Sequence, residues 1–355
     1  MKMKKSILLV MMALVMIVSM VGCASPAPQE SGAAAGETAA AGEPKEGKAA
    51  SDVVIAQSMP TLNNPWYVLF ANGSKDMAEA LGVELSQTTN PETNEWAPEE
   101  QIKKIENLIA KQPDVIEIDP TSSDGINSAI DEARKQGISV VMSGTKVTTE
   151  VECSITADNK QGGKLCGEFM GEALEGKGKI AILQGTPGRD VVQAREDGFK
   201  EGIAAYDGIE IVAEQVANLD RSEAVTVTEN ILQANPDIDG IWAANDEMAL
   251  GAIEALKAQG LNGKVIVGGL DCTPDAVAAI EEGNMHFTAN QVPYEMGVRA
   301  IAISTLIAQG KEIPSDDISL KMSLVTYENV DEYQDNQEAD QKAVIEQVIQ
   351  EYGLK

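Results

Sequence analysis

Histidine is almost missing from this chain: His286 is the only one in 355 residues. Most hydrolytic chemistry uses histidine as a base or a metal ligand, so the count argues against it. The four cysteines follow no CxxC or zinc-type spacing. No GxSxG, P-loop or HExxH pattern occurs, which removes the common signatures of hydrolases, nucleotidases and metalloproteases. An enzyme is therefore not expected, nor a metal or cofactor. Basic residues are scarce as well, 27 Lys and Arg against 56 Asp and Glu, for a net charge of −29. Such a surface repels nucleic acid and anionic lipid headgroups. Aromatics are few, with three Trp, six Tyr and four Phe, so any two side by side stand out.

What is present begins with a leader. Lys2, Lys4 and Lys5 precede an apolar run from Ile7 to Val18, followed by Val21-Gly22-Cys23-Ala24-Ser25. A charged start, a short apolar stretch and small residues before a cut site form a secretory signal, too short for a transmembrane span. With cysteine at the cut, the segment resembles a bacterial lipoprotein signal, although Met20 stands where Leu is more usual. The resemblance implies that residues 1–22 are removed and that Cys23 carries lipid. The protein would then be extracytoplasmic and held to the cell membrane, at a Gram-positive-type cell surface or in a periplasm. From Ala24 to Ala50 the chain is almost wholly Ala, Gly, Ser, Pro, Glu and Lys. That composition cannot bury enough apolar surface to offset ordering entropy, so residues 23–51 read as a flexible linker. The folded part is expected from about Asp52.

Beyond it, strand-length apolar runs (Val53 to Ala56, Val115 to Ile118, Val140 to Met142, Ile180 to Leu183, Ile209 to Val212, Val265 to Val267) alternate with longer amphipathic stretches. Those stretches are Glu99 to Lys111, Gly125 to Gln136, Gln161 to Leu174, Glu223 to Ala234 and Met248 to Gln259. Strands separated by helices read as βαβ units with right-handed crossovers, hence an α/β protein with doubly wound parallel sheets. The number of units suits two sheets better than one. Ligands of open α/β sheets bind beyond the carboxyl ends of the strands. The loops expected there are polar: Thr61-Leu62-Asn63-Asn64-Pro65-Trp66-Tyr67, then Asn245-Asp246-Glu247, then Leu270-Asp271-Cys272-Thr273. Asn and Asp at such points also serve simply as helix caps and turn formers.

These loops, with Thr156-Ala157-Asp158-Asn159, Leu183-Gln184-Gly185, Arg195, Gly198 and Asn290-Gln291-Val292-Pro293, resemble one family in order over about 52–330. That family is the ribose-binding-protein-like solute receptors of sugar ABC transporters, with the type I periplasmic-binding fold. The resemblance implies two lobes joined by three hinge strands: 52–157 with 292–320, and 158–291 with 321–330. Residues 331–355 would be a C-terminal helical extension. The implied function is a monomeric solute-binding lipoprotein that delivers a small neutral sugar or polyol to a membrane permease and its ATPase. A receptor for a signal molecule, such as a furanosyl quorum signal or a sugar reported to a sensor, would share the same fold and is the alternative. A repressor with this ligand core would begin with a basic helix-turn-helix instead of an acidic linker.

Carried over by position, the resemblance implies ligand contacts from Asn64, Trp66, Tyr67, Arg195, Asn245, Asp271 and Gln291. Two departures stand out. Sugar binders of this type commonly carry an Asp-Arg pair after the fourth strand, where this chain has Ser143-Gly144-Thr145. Leu219 replaces a stacking aromatic. Thr145 and Leu219 are thus cleft residues that alter the ligand, and Asp119, Arg189, Asp190 or Trp96 are candidates to compensate. Cys153 and Cys166 are either two buried thiols or a disulfide, which export permits and spacing leaves open.

Overall fold

The computed structural model describes residues 47–354; the leader, Cys23 and most of the linker lie outside them. Regular structure begins slightly earlier than expected. Ala50–Asp52 form a 3-10 turn, and the Lys48 ammonium sits 2.5 Å from the Asp114 carboxylate.

Among the described residues twelve strands form two six-stranded sheets. The first contains β1 (Val54–Met59), β2 (Glu84–Thr89), β3 (Val115–Ile118), β4 (Ser139–Ser143), β5 (Cys153–Ala157) and β11 (Asp317–Leu320). Its spatial order is β11-β5-β4-β3-β1-β2, every neighbour parallel. The second contains β6 (Lys177–Gln184), β7 (Gly208–Val216), β8 (Gly240–Ala243), β9 (Ile266–Asp271), β10 (Phe287–Asn290) and β12 (Ser323–Thr326). Its order is β12-β10-β9-β8-β6-β7, parallel except for the antiparallel pair β10–β12. Each is doubly wound, and the order reverses between β1 and β3 in one sheet and between β6 and β8 in the other. Crevices for ligands open at these reversals.

The period-two pattern of β1 divides the first core. Ile55 and Met59 join the apolar cluster beneath α1 (Pro65–Leu81) and α9 (Pro293–Ala308). Ala56, from the opposite face, joins Ile105, Ile116 and Ile130 beneath α2 (Pro98–Ile109) and α3 (Asn127–Lys135). Alternate burial on both faces is what parallel strands covered by helices require. The second sheet is flanked by α4 (Asn159–Ala173), α5 (Asp190–Ile203), α6 (Arg221–Ala234), α7 (Asp246–Ala258) and α8 (Pro274–Glu281). Helices α4 and α5 pack backbone to backbone, because a Cβ on Gly163 would lie 2.0 Å from the Arg195 carbonyl oxygen. That close approach sets Arg195 beside the first turn of α4. The chain passes between the sheets three times: after β5, after β10, and between β11 and β12. Helix α10 (Val330–Tyr352) lies against α9, α1 and α8. Among the described residues no helix is long and apolar enough to cross a membrane.

The cysteine alternative resolves toward thiols. Cys153, Cys166 and Cys272 are free and buried. Helix α4 packs on the second sheet, so it does not fold back over β5, and the two thiols approach different carbonyls. Cys153 faces Ser315 O at 3.4 Å, whereas Cys166 faces Gly269 O at 3.5 Å. His286 also has a structural role: its Nδ1 accepts from the Val267 N–H at 3.1 Å, and burial holds its pKa below the ordinary value.

Candidate functional site

The carboxyl ends of the two sheets face one cavity, with about 40 Å³ open to the centre of a water molecule. Asn64, Trp66, Tyr67, Asp119, Arg195, Leu219, Asn245, Asp271 and Gln291 all line it. Thr145 lies one step behind, under Arg189. Trp96, Asn159 and Arg189 line it too. Asp190 does not; its Oδ1 accepts from the Lys146 N–H at 3.0 Å, at the rim.

The first lobe contributes an aromatic wall. Asn64 caps α1, its Oδ1 accepting from Trp66 N at 2.8 Å, so the bland role expected of such a residue is filled as well. With Pro65 at the first helical position the turn is pre-set, and it delivers Trp66 and Tyr67 to the cavity edge. Trp66 stacks on Phe70 at 5.5 Å and meets Tyr67 edge-on at 4.8 Å; Tyr67 in turn lies 6.0 Å from Trp96. The Trp66 indole N–H is buried and makes no hydrogen bond in the protein. Asp119 follows β3. Gly144 makes room for it: φ there is +71°, and a Cβ would lie 2.4 Å from Asp119 Oδ2. Burial pushes the Asp119 carboxyl up to about 7, against the pull of the nearby Arg189 cation.

The second lobe contributes two guanidinium groups. Arg195 donates from Nε to Asn159 Oδ1 at 2.9 Å and from Nη1 to Ala244 O at 2.7 Å, and its Nη1 is 3.6 Å from Asp271 Oδ1. The Asp271 carboxylate makes no hydrogen bond to another described residue, and burial drives its pKa well up although Arg195 opposes that. Asn245 caps α7, accepting from Met248 N at 3.0 Å, and donates to Leu219 O at 3.4 Å. Leu219 thereby presents an apolar edge on a strained turn. Of seven non-glycine residues with positive φ among those described, Asn218, Leu219, Asp271, Cys272 and Val292 are cavity-lining residues or their direct neighbours. Backbone strain of this kind persists where surrounding structure over-determines it, characteristically at ligand sites.

Asn159 was the residue that position-by-position reasoning passed over. It is buried in the first turn of α4, where its Oδ1 accepts from both Arg195 and Gln291. The Thr156-Ala157-Asp158-Asn159 stretch was a visible signal, and its Asp158 caps α4, accepting from Gln161 N at 3.0 Å. Together the lining charges are Asp119, Asp271, Arg189 and Arg195, formally balanced. Fixed donors, fixed acceptors and aromatic faces without net charge suit a neutral molecule bearing several hydroxyls and an apolar C–H face.

Comparison with known proteins agrees with this chemistry. The sequence pattern described as "Periplasmic binding protein domain" matches residues 55–312. The ribose import binding protein of Escherichia coli strain K12 is 32% identical over 260 residues, covering 73% of this chain and 86% of that protein. The D-allose-binding periplasmic protein of the same organism is 32% identical over 268 residues, with 73% and 86% covered. Among solved structures, an ABC transporter periplasmic solute binding protein from Actinobacillus succinogenes with bound D-allose superposes with a TM-score of 0.76. It is 33% identical, with 79% of this chain and 100% of that chain covered. An ABC transporter solute binding protein from Bacillus halodurans with bound myo-inositol gives a TM-score of 0.75 at 29% identity, with 80% and 98% covered.

Proposed function

The chain belongs to the periplasmic binding protein family, and from that premise we propose that it is the extracytoplasmic receptor of an ABC importer for a neutral monosaccharide or polyol. The observation that carries the reading is the cavity itself, where two Asp–Arg pairs and the aromatic wall of the first lobe meet at the sheet reversals. On this reading the moving bodies are 52–157 with 292–320 and 158–291 with 321–330. They close on ligand by bending at the three connections, as hinged two-lobe proteins do. Lipid on Cys23 tethers the receptor, and residues 24–50 let it reach a permease whose docking surface is the joined outer rim of the closed lobes. Ligand favours that form only by its differential affinity for closed over open.

Titration calorimetry with D-ribose, D-allose and myo-inositol tests the ligand class, with saturable binding of at least one expected. Absence of binding to any neutral sugar or polyol in a wider panel would overturn it. Reconstituted permease and ATPase should respond to the loaded receptor. Compaction with ligand but no transport response would favour a sensor for a signal molecule instead.

A further inference from the structure

The loop between β6 and α5 crosses the cleft. Its Gly188 carbonyl accepts from Ser123 N at 3.2 Å, and Asp190 N donates to Ser123 Oγ at 3.2 Å. Between them Arg189 reaches into the first lobe. Its Nε and Nη2 donate to Thr145 Oγ1 at 3.0 and 2.7 Å, and Nη2 lies 3.5 Å from Tyr67 Oη and 3.4 Å from Asp119 Oδ1. The guanidinium carbon stands 4.8 Å from the centre of the Trp96 ring. Arg189 and Asp119 are both almost wholly buried, with side chains 6% and 1% exposed. The Arg189 Nη1 makes no hydrogen bond to another described residue, and Arg189 lines the cavity.

We propose that Asp119 and Arg189 form a specificity subsite split across the cleft, which grips adjacent hydroxyls of the ligand and exists only when the lobes are apposed. This rests on the solute-binding reading above. Thr145, Tyr67 and the face of Trp96 hold the guanidinium in one orientation, so its remaining donors point to a fixed place. A hydroxyl there accepts from Arg189, and its neighbour donates to the Asp119 carboxylate. Donor and acceptor side by side match a vicinal diol. The loop after β4 that lacks charge is thereby completed from the other lobe: Thr145 replaces a cation by receiving one. Because the acid and the base belong to different bodies, recognising the diol and closing the cleft become the same event. A buried pair broken by removing one partner strands the other, so the two residues are energetically coupled.

The test uses Arg189→Ala, Arg189→Lys, Asp119→Asn and the Asp119→Asn/Arg189→Ala double variant of the full chain. Affinity is measured with whichever of D-ribose, D-allose or myo-inositol the wild type binds, and the radius of gyration is measured by solution scattering with no probe added. Arg189→Ala is expected to weaken binding at least tenfold and to enlarge the probe-free protein. The double variant should be no worse than twofold below the poorer single one. Arg189→Lys, which keeps the charge and loses the fork, should fall between wild type and Arg189→Ala and controls for misfolding. Affinity within twofold of wild type in Arg189→Ala, an unchanged radius, or additive losses in the double variant would each overturn the split subsite while leaving the solute-binding reading intact. If the wild type binds no neutral sugar or polyol, that broader reading falls, and the probe-free radii still decide whether Arg189 joins the lobes.

Discussion

Gln291 donates its Nε2 to Asn159 Oδ1 at 2.9 Å, tying the connection after β10 to the one after β5 inside the cavity. The same oxygen receives Arg195 Nε at 2.9 Å, while Asn159 Nδ2 donates to Ala157 O at 3.0 Å. One amide therefore registers two crossovers and a ligand-facing cation.

Asn159→Ala leaves two buried donors without an acceptor, each worth about 1–3 kcal/mol. Thermal unfolding should shift down by several degrees. Ligand affinity should fall as well, because Arg195 loses its aim. A melting point and an affinity both equal to wild type would mean that Asn159 merely fills space.

Asn245→Ala and Asp271→Ala should each weaken binding at least tenfold, since each leaves ligand hydroxyls unpaired at about 1–3 kcal/mol. Arg195→Ala should be as damaging or worse, because it also strands the Asp271 carboxylate 3.6 Å away. Calorimetry with the bound probe is the measurement. Wild-type affinity in all three variants contradicts the assigned site.

Trp66 and Trp96 line the cavity, whereas Trp242 is fully buried in the second lobe and stacked on Phe199 at 4.3 Å. Ligand should shift the intrinsic fluorescence through the first two. At saturating ligand, Trp66→Ala should lose a large part of that change and Trp242→Phe almost none. A Trp66→Ala variant that keeps both affinity and the full signal shows that Trp66 only packs on Phe70.

Glu117 is a carboxyl buried on β3 with no hydrogen-bond partner for either oxygen. Burial pushes it up to about 8, against the lowering pull of the neighbouring Ser143 hydroxyl and Gln57 amide and with the nearby Asp119 adding a little. A raised acid is protonated in the fold but ionised in the unfolded chain once pH exceeds its ordinary value near 4.5. Its contribution is therefore complete below that value and declines, by about 1.4 kcal/mol per pH unit, until the folded group ionises. Glu117→Gln cannot ionise, so its stability relative to wild type should rise between pH 5 and pH 8 and then level. Urea unfolding at four or five pH values checks this; a constant difference across the range contradicts it.

Much of the site was legible because βαβ periodicity dictates where strand-end loops lie. Asn245 and Asp271, each directly after an apolar run, and Asn64, five places beyond Met59 at the start of α1, have little freedom to be elsewhere. The two-sheet α/β plan follows from the same alternation, since parallel strands must be covered on both faces. Arg189 and Asp190 mark where that logic stops. They are adjacent, both polar and both at the start of α5, yet one lines the cavity and the other accepts from Lys146 at the rim. The difference comes from what the opposite lobe presents, Thr145 and Asp119 to one and a free backbone N–H to the other. Such pairings join residues 44 and 70 positions apart, and no local pattern encodes them. Cys153 and Cys166 teach the same point from the other side: 13 residues of separation permitted a bridge, but α4 crosses to the second sheet and carries one thiol away. Backbone periodicity is local, so the alternating elements and the chemistry of their end loops can be read along the chain. Only the packing of one lobe against the other decided which of those loops share a ligand, because that is a matter of long-range contact.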